Sequence, residues 1–156
     1  MFYSFVMLKP DALDLELVEP IMQYLKKAGV EIERLGYRKV DETLLCRHYA
    51  QAIAELGDAF RKKLELYFLG KGVIPMVVRG ESSHLIADIR RIVGATDPSK
   101  AAPGTIRGDL CDDSYEKCGR ENRSCMNLIH ASDAPETARA EIALWFGEAV
   151  AADCFQ

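Results

Sequence analysis

The residues best suited to chemistry lie near the end of the chain. There Met126-Asn127-Leu128-Ile129-His130-Ala131-Ser132-Asp133 carries a histidine out of a short apolar run to the mouth of an expected helix. An imidazole with an unperturbed pKa of roughly 6.5 is substantially neutral at physiological pH, and it attacks phosphorus without a metal or strong base to activate it. Upstream, Pro103-Gly104-Thr105-Ile106-Arg107-Gly108-Asp109 forms a glycine-bounded turn with a hydroxyl and a guanidinium, the groups that hold phosphate oxygens. The pair points to phosphoryl transfer.

The plain alternative for His130 is a buried, hydrogen-bonded core histidine. Glu141 weighs against it, because a carboxylate two turns into the following helix is placed to bond one ring nitrogen, fix the tautomer and leave the other nitrogen free to attack. His48, in a helix beside Tyr49, and His84, in the first turn of another, read as surface or capping residues. No G-x-x-x-x-G-K-[ST] occurs, and Gly70-Lys71-Gly72 is too short to cradle phosphates, so side chains must hold any nucleotide. Lys9, Arg90 and Arg107 are the candidate cations, with Thr96 and Thr105 as hydroxyl donors. Phe60 and Leu64, one helical turn apart, form either an apolar clamp for a base or ordinary core.

The chain has 156 residues, 49% of them hydrophobic, enough for a single domain over 1–156 with a full core and no disulfide or structural metal. Net charge is -4, and no basic run is longer than Arg61-Lys62-Lys63, which argues against nucleic acid as a partner. Met1 to Pro10 is apolar but has neither a basic n-region nor a small-residue cleavage site, so a buried strand is expected there rather than a signal peptide. No apolar stretch approaches the roughly 20 residues that span a bilayer, so no membrane partner and a cytoplasmic location are expected. Cys111, Cys118 and Cys125 recur at even spacing but, with Cys46 and Cys154, contain no C-x-x-C pair. Ordinary reduced thiols are expected rather than a metal site.

Elements must position these groups. Phe5 to Lys9 reads as a strand ending at Pro10, and Val18, Ile21, Met22 and Leu25 as an amphipathic helix ending at Gly29. A half-exposed strand with a break at Gly36 spans Val30 to Val40. Two helices follow, on Leu45, Tyr49, Ala52 and Leu56 and on Phe60, Leu64, Tyr67 and Phe68. Val73 to Arg79 is a strongly apolar strand, and Pro75 within it argues for a sheet edge or an irregular ladder. Ser82 or Ser83 caps the next helix, which carries Leu85, Ile86, Ile89, Ile92 and Val93 and ends at Gly94. Ala95 to Ser124 sustains no period and is expected to be a long functional loop. Met126 to Ile129 is a short strand, and Asp133 with Glu136 makes a capping box for the helix of Ala138, Ile142 and Trp145. The order predicts an α/β (α+β) chain with a ferredoxin-like βαββαβ sandwich. Its sheet is four-stranded and antiparallel, with added helices and a long loop before the active-site strand.

Several ordered motifs resemble the nucleoside diphosphate kinase family over Phe5 to Phe146. They are Phe5-Val6-Met7-Leu8-Lys9-Pro10-Asp11, His48-Tyr49, Gly94-Ala95-Thr96-Asp97-Pro98, Ala102 to Asp109, Asn127 to Asp133 and Glu141-Ile142-Ala143-Leu144-Trp145-Phe146. The resemblance implies a ferredoxin-like enzyme that moves the γ-phosphoryl group of a nucleoside triphosphate, usually ATP, onto a histidine and then onto a nucleoside diphosphate. His130 matches that histidine, phosphorylated at the pros nitrogen, and Ser132 and Glu141 match the groups that position it. Lys9, Tyr49, Arg90, Thr96, Arg107 and Asn127 match the phosphate and sugar contacts, with Lys9 and Tyr49 also beside the chemistry, and Phe60 and Leu64 match the base slot. An apolar slot of that kind implies broad base tolerance. Magnesium (Mg2+) on the nucleotide phosphates and a dimer-based homo-oligomer are implied as well.

The chain departs from the family pattern in three places. Ala12 to Glu16 replaces a glycine and an Arg-Gly, Cys125-Met126 replaces a Gly-Arg, and Cys111 to Ser124 holds about ten extra residues, a length that loop-closure entropy tolerates. These departures motivate a rival reading, a nucleotide-binding regulatory or interaction protein on the same fold without turnover.

Overall fold

In the first strand, β1 (Phe2–Leu8), alternate side chains point to opposite faces of a sheet, and this sorts the interior into two cores. Val6 and Leu8 face the layer of α2 (Val18–Lys27) and α6 (Leu85–Val93), with Ile21, Leu25, Leu85, Ile89 and Val93 buried against them. Phe5 and Met7 face the opposite layer, built by α3 (Glu42–His48), α5 (Asp58–Phe68), α9 (Pro135–Phe146) and α10 (Glu148–Cys154). The computed structural model describes residues 1–156.

The sheet has the order β2 (Glu31–Leu35), β4 (Gly72–Gly80), β1, β5 (Ile129–Ala131), with every neighbour antiparallel. This is the ferredoxin-like sandwich. The strand count is five rather than four, because the break at Gly36-Tyr37 splits off β3 (Arg38–Lys39), which pairs with the same strand β4. Of the two readings of Pro75, the irregular ladder holds. β4 is central, not an edge, and Pro75 lies opposite the break, where its carbonyl accepts from Gly36 N–H at 3.0 Å. Because a strand residue's N–H and C=O point to the same side, the donor that proline lacks faces Gly36, where the ladder to β4 is already interrupted between β2 and β3.

Residues 95–124 are not a structureless loop. They hold a 3₁₀ turn (Pro98–Lys100), α7 (Ile106–Leu110) and α8 (Tyr115–Arg120). Each starts on a side-chain cap: Asp97 accepts from Ser99 N–H, Thr105 from Gly108 N–H and Ser114 from Lys117 N–H. Thr105 is therefore occupied as a cap, its hydroxyl donating to Ala102 O at 2.6 Å. Gly108 is required by close approach, since a side chain there would strike the Ala102 carbonyl. The extra segment closes on itself. The Asp113 carboxylate takes two bonds from Arg123, at 2.7 and 3.0 Å, and one from Met126 N–H at 2.8 Å.

Three boundaries differ from expectation. Ser82 acts two residues ahead of His84, the N-cap of α6, its hydroxyl accepting from His84 N–H at 3.1 Å and donating to Asp88 at 2.6 Å. No capping box forms at α9. Ala134 is its N-cap and Pro135 occupies the first helical position, which leaves Asp133 outside the helix. The last strand begins at Ile129 rather than Met126, so His130 is its central residue. The two short helices α1 (Pro10–Asp14) and α4 (Ala50–Leu56) complete the chain.

Candidate active site

The pleat aims His130. Its neighbours Ile129 and Ala131 are buried in the α2–α6 core, so the imidazole projects to the other face, toward α3 and α9. There Glu141 Oε2 lies 2.5 Å from His130 Nε2, and Glu141 Oε1 accepts from the Ser132 hydroxyl at 2.5 Å. A carboxylate against Nε2 favours the Nε2–H tautomer and leaves Nδ1 with its lone pair. Burial and the nearby cations Lys9, Arg107 and Arg90 lower the His130 pKa to about 3, so the ring is neutral across the physiological range.

His48 also belongs to the site, although its place in the sequence suggested a surface or capping role. Its side chain is 2% exposed and its ring centroid is 4.5 Å from that of His130. Trp145 Nε1–H donates to His48 Nδ1 at 3.0 Å, which fixes the proton on Nε2, 3.4 Å from Glu141 Oε2. Glu141 is thus faced by two imidazoles and one hydroxyl. Burial raises its pKa, while His48 and Ser132 act to lower it. His48 and Trp145 stood in two of the motifs that carry the resemblance, but nothing in their spacing pairs them, because they lie 97 positions apart.

A cleft of ≈ 380 Å³ opens in front of His130, lined among others by Lys9, Tyr49, Arg90, Thr96, Arg107 and Asn127. Arg107 is 6% exposed and donates to three backbone carbonyls, those of Asn127 (3.1 Å), Gly94 (3.2 Å) and Ile129 (2.5 Å). A guanidinium carries five N–H donors, so two remain for an anion. Arg90 donates to Ala131 O at 2.9 Å and keeps its other donors. Lys9 donates to Asn127 Oδ1 at 2.6 Å, and Asn127 Nδ2–H donates to Thr96 O at 3.0 Å, a chain that joins three walls of the cleft. Burial and the Arg107 charge lower the Lys9 pKa to about 8. Burial also raises the pKa of Tyr49, which stays a neutral phenol.

Phe60 and Leu64 do not line this cleft. Leu64 is buried in the α5 core and Phe60 is half-buried against it. A larger cleft of ≈ 830 Å³ lies between the start of β1, the start of α6 and the end of the chain. It shares Arg90 and Asp133 with the first but holds none of the other groups around His130. The ligand atoms of His48, His130 and Glu141 lie within 4.8 Å of one another, a nitrogen-rich set. A hard cation such as magnesium wants oxygen ligands, and these residues do not supply a cage for it.

Fold and site define a class of protein, a phosphotransferase on a ferredoxin-like sandwich. The sequence profile of the family described as nucleoside diphosphate kinase matches residues 3–150. Among curated proteins, a nucleoside diphosphate kinase of Roseiflexus sp. (strain RS-1) is 43% identical over 143 residues, covering 92% of this chain and 86% of its own. Nucleoside diphosphate kinase B of Flaveria bidentis is 39% identical, covering 97% of this chain and 92% of its own. Among solved structures, a transition-state mimic of the Borrelia burgdorferi nucleoside-diphosphate kinase with bound vanadate and ADP superposes with a TM-score of 0.85 at 29% identity, covering 92% of this chain and 86% of its own. The chain belongs to the nucleoside diphosphate kinase family. It is an enzyme of nucleotide phosphoryl transfer, which sets aside the reading without turnover. No helix is long and apolar enough to cross a membrane.

Proposed function

We propose that this enzyme moves the γ-phosphoryl group of a nucleoside triphosphate to a nucleoside diphosphate in two half-reactions through a phosphohistidine on His130. The observation that carries this reading is the neutral imidazole of His130, with Glu141 on one nitrogen, beside a cleft walled by Lys9, Arg90 and Arg107. In the first half-reaction the Nδ1 lone pair attacks the γ-phosphorus, the bond to the β–γ bridging oxygen breaks, and its electron pair leaves with the diphosphate. Glu141 stabilises the positive charge that grows on the ring, and Ser132 holds Glu141. The second half-reaction runs the same path in reverse onto a different diphosphate.

Lys9, Arg90, Arg107 and Thr96 hold the phosphates, Asn127 fixes Lys9, and Tyr49 closes the wall beside His130. The half-buried ring of Phe60, backed by Leu64, supplies the apolar slot for the base. Magnesium arrives on the nucleotide phosphates, where it neutralises charge. The exposed Leu35 at the sheet edge and the neighbouring Tyr37 support a dimer-based homo-oligomer, and five unpaired cysteines support a cytoplasmic location.

Two measurements test the reading. Initial rates with ATP and GDP varied together should give parallel double-reciprocal lines, and γ-labelled ATP with magnesium should leave acid-labile phosphate on the peptide that contains His130. Intersecting lines with no labelled protein would point to direct transfer and remove the phosphohistidine. The pH profile is a further check. Lys9, with its pKa lowered to about 8, is charged below that value and neutral above it, so kcat/KM should fall as pH rises through this region. Bound phosphate restores the lysine's charge, so the same limb in kcat should lie at higher pH. In Lys9→Arg, whose guanidinium does not titrate there, the limb should vanish; a limb that persists assigns it to another group.

A further inference from the structure

We propose that Asp11 is a positioning residue for phosphoryl transfer, the clamp that holds a strained turn at Leu128 and so fixes Asn127 and His130 relative to each other. This rests on the phosphohistidine reading of His130.

Leu128 has φ 70, and Ile129 N–H donates back across it to Asn127 O at 2.8 Å. An i to i+2 bond around a positive-φ residue is a γ-turn of the rare, strained kind, and here the residue is neither glycine nor asparagine. Such a conformation persists only where the surroundings over-determine it. Four bonds do so. Lys9 N–H donates to Leu128 O at 2.8 Å, Arg107 donates to Asn127 O at 3.1 Å and to Ile129 O at 2.5 Å, and Asp11 Oδ2 accepts from Leu128 N–H at 3.0 Å.

Of these three residues, Lys9 and Arg107 line the cleft and Asp11 does not. Its carboxylate is buried, and its second oxygen accepts from the Tyr67 hydroxyl of α5. The carboxylate therefore ties α1 and α5 to the turn without touching the reacting atoms. What the turn controls is local. Asn127 on one side of it joins Lys9 to Thr96, and on the other side β5 enters its register with Ile129 opposite Leu8 and His130 opposite Met7. A turn that relaxed toward ordinary φ would shift Asn127 and Lys9 against the imidazole. Misplacement by an ångström far from the reacting atoms slows a reaction by on the order of 100-fold.

The test compares Asp11→Ala, Asp11→Asn and Tyr67→Phe for single-turnover labelling of His130, nucleotide affinity and hydrogen exchange at the Leu128 amide. Asp11→Ala should slow labelling by roughly 10- to 100-fold while the dissociation constant for ADP changes by less than about threefold. Its Leu128 amide should lose protection. Asparagine accepts from Leu128 N–H with its oxygen and donates to Tyr67 with its nitrogen, so Asp11→Asn should recover most of the rate, and Tyr67→Phe should lose only a few-fold. A second comparison removes the strain itself. Leu128→Gly and Leu128→Ala leave similar cavities, but only glycine adopts φ 70 at ease, so Asp11→Ala should cost less rate in the glycine background than in the alanine one. Labelling of Asp11→Ala within twofold of wild type overturns the proposal. So does a rate loss matched by an equal loss of ADP affinity that Asp11→Asn does not repair. If wild-type protein takes no label, the phosphohistidine reading fails instead, and Leu128 exchange alone decides whether Asp11 holds the turn.

Discussion

Replacement of His130 by alanine is expected to stop phosphoryl transfer, with turnover lower by at least about a thousandfold and the fold intact. The side chain is 22% exposed and contacts Glu141 at the edge of an open cleft, so its removal leaves space that water fills rather than a sealed cavity. Glu141 keeps Ser132 and His48 as partners. Burial and the neighbouring cations disfavour the protonated ring, so the imidazole contributes little to stability near neutral pH. Rapid-quench labelling with γ-labelled ATP, alongside thermal unfolding, separates the two quantities. Label at wild-type stoichiometry in the alanine variant would remove His130 from the chemistry.

Arg107→Ala is expected to lose both activity and stability, because one guanidinium serves both. On the stability side, the carbonyls of Gly94, Asn127 and Ile129 lose their donor together, and buried acceptors left in that state cost about 3 kcal/mol in sum once partial rehydration is allowed. On the activity side, two preorganised N–H groups and a positive charge vanish from the phosphate wall, for a loss of at least about 100-fold in labelling rate. Arg107→Lys restores the charge, but an ammonium on a single stem cannot meet three carbonyls, so most of the stability loss should remain. Denaturant unfolding decides the matter. A change below about 0.5 kcal/mol in Arg107→Ala would mean that the three bonds contribute nothing net.

Long periodic segments were legible because burial imposes its spacing directly. Val18, Ile21, Met22 and Leu25 lie in α2, and Leu85, Ile89 and Val93 in α6, with the apolar faces that periodicity requires. Residues 95–124 were not legible for a physical reason. Their helices are one to two turns long and are defined by the caps Asp97, Thr105 and Ser114, not by a repeating apolar face. Pro75 was legible as the mark of an edge or an irregular ladder, and the choice between them was not, because the interruption that accommodates it lies on a different strand, at Gly36-Tyr37. The cleft was legible in its parts, since the apolar run before His130 and the turn around Arg107 advertise themselves. Its long-range assembly was not. Neither His48, whose partners are Trp145 and Glu141, nor Asp11, whose partners are Tyr67 and Leu128, shows in the sequence what it will meet after folding.

The extra segment between Cys111 and Met126 bears on how the protein can be altered. Asp113 and Arg123 join its two limbs, and Met126 N–H bonds the same carboxylate, so the chain leaves and re-enters the body of the enzyme through one narrow neck. Beyond that neck lie Glu121 and the turn at Asn122, both exposed. Past the neck, Tyr115 N–H donates to Asp97 Oδ1 at 3.3 Å, next to Thr96, so the start of α8 is held against the cleft wall while Glu121 and Asn122 stand at its far end. The tip is therefore a natural graft point, where an added peptide, a fluorophore or a permuted terminus can be carried at small loop-closure entropy beside a working nucleotide cleft.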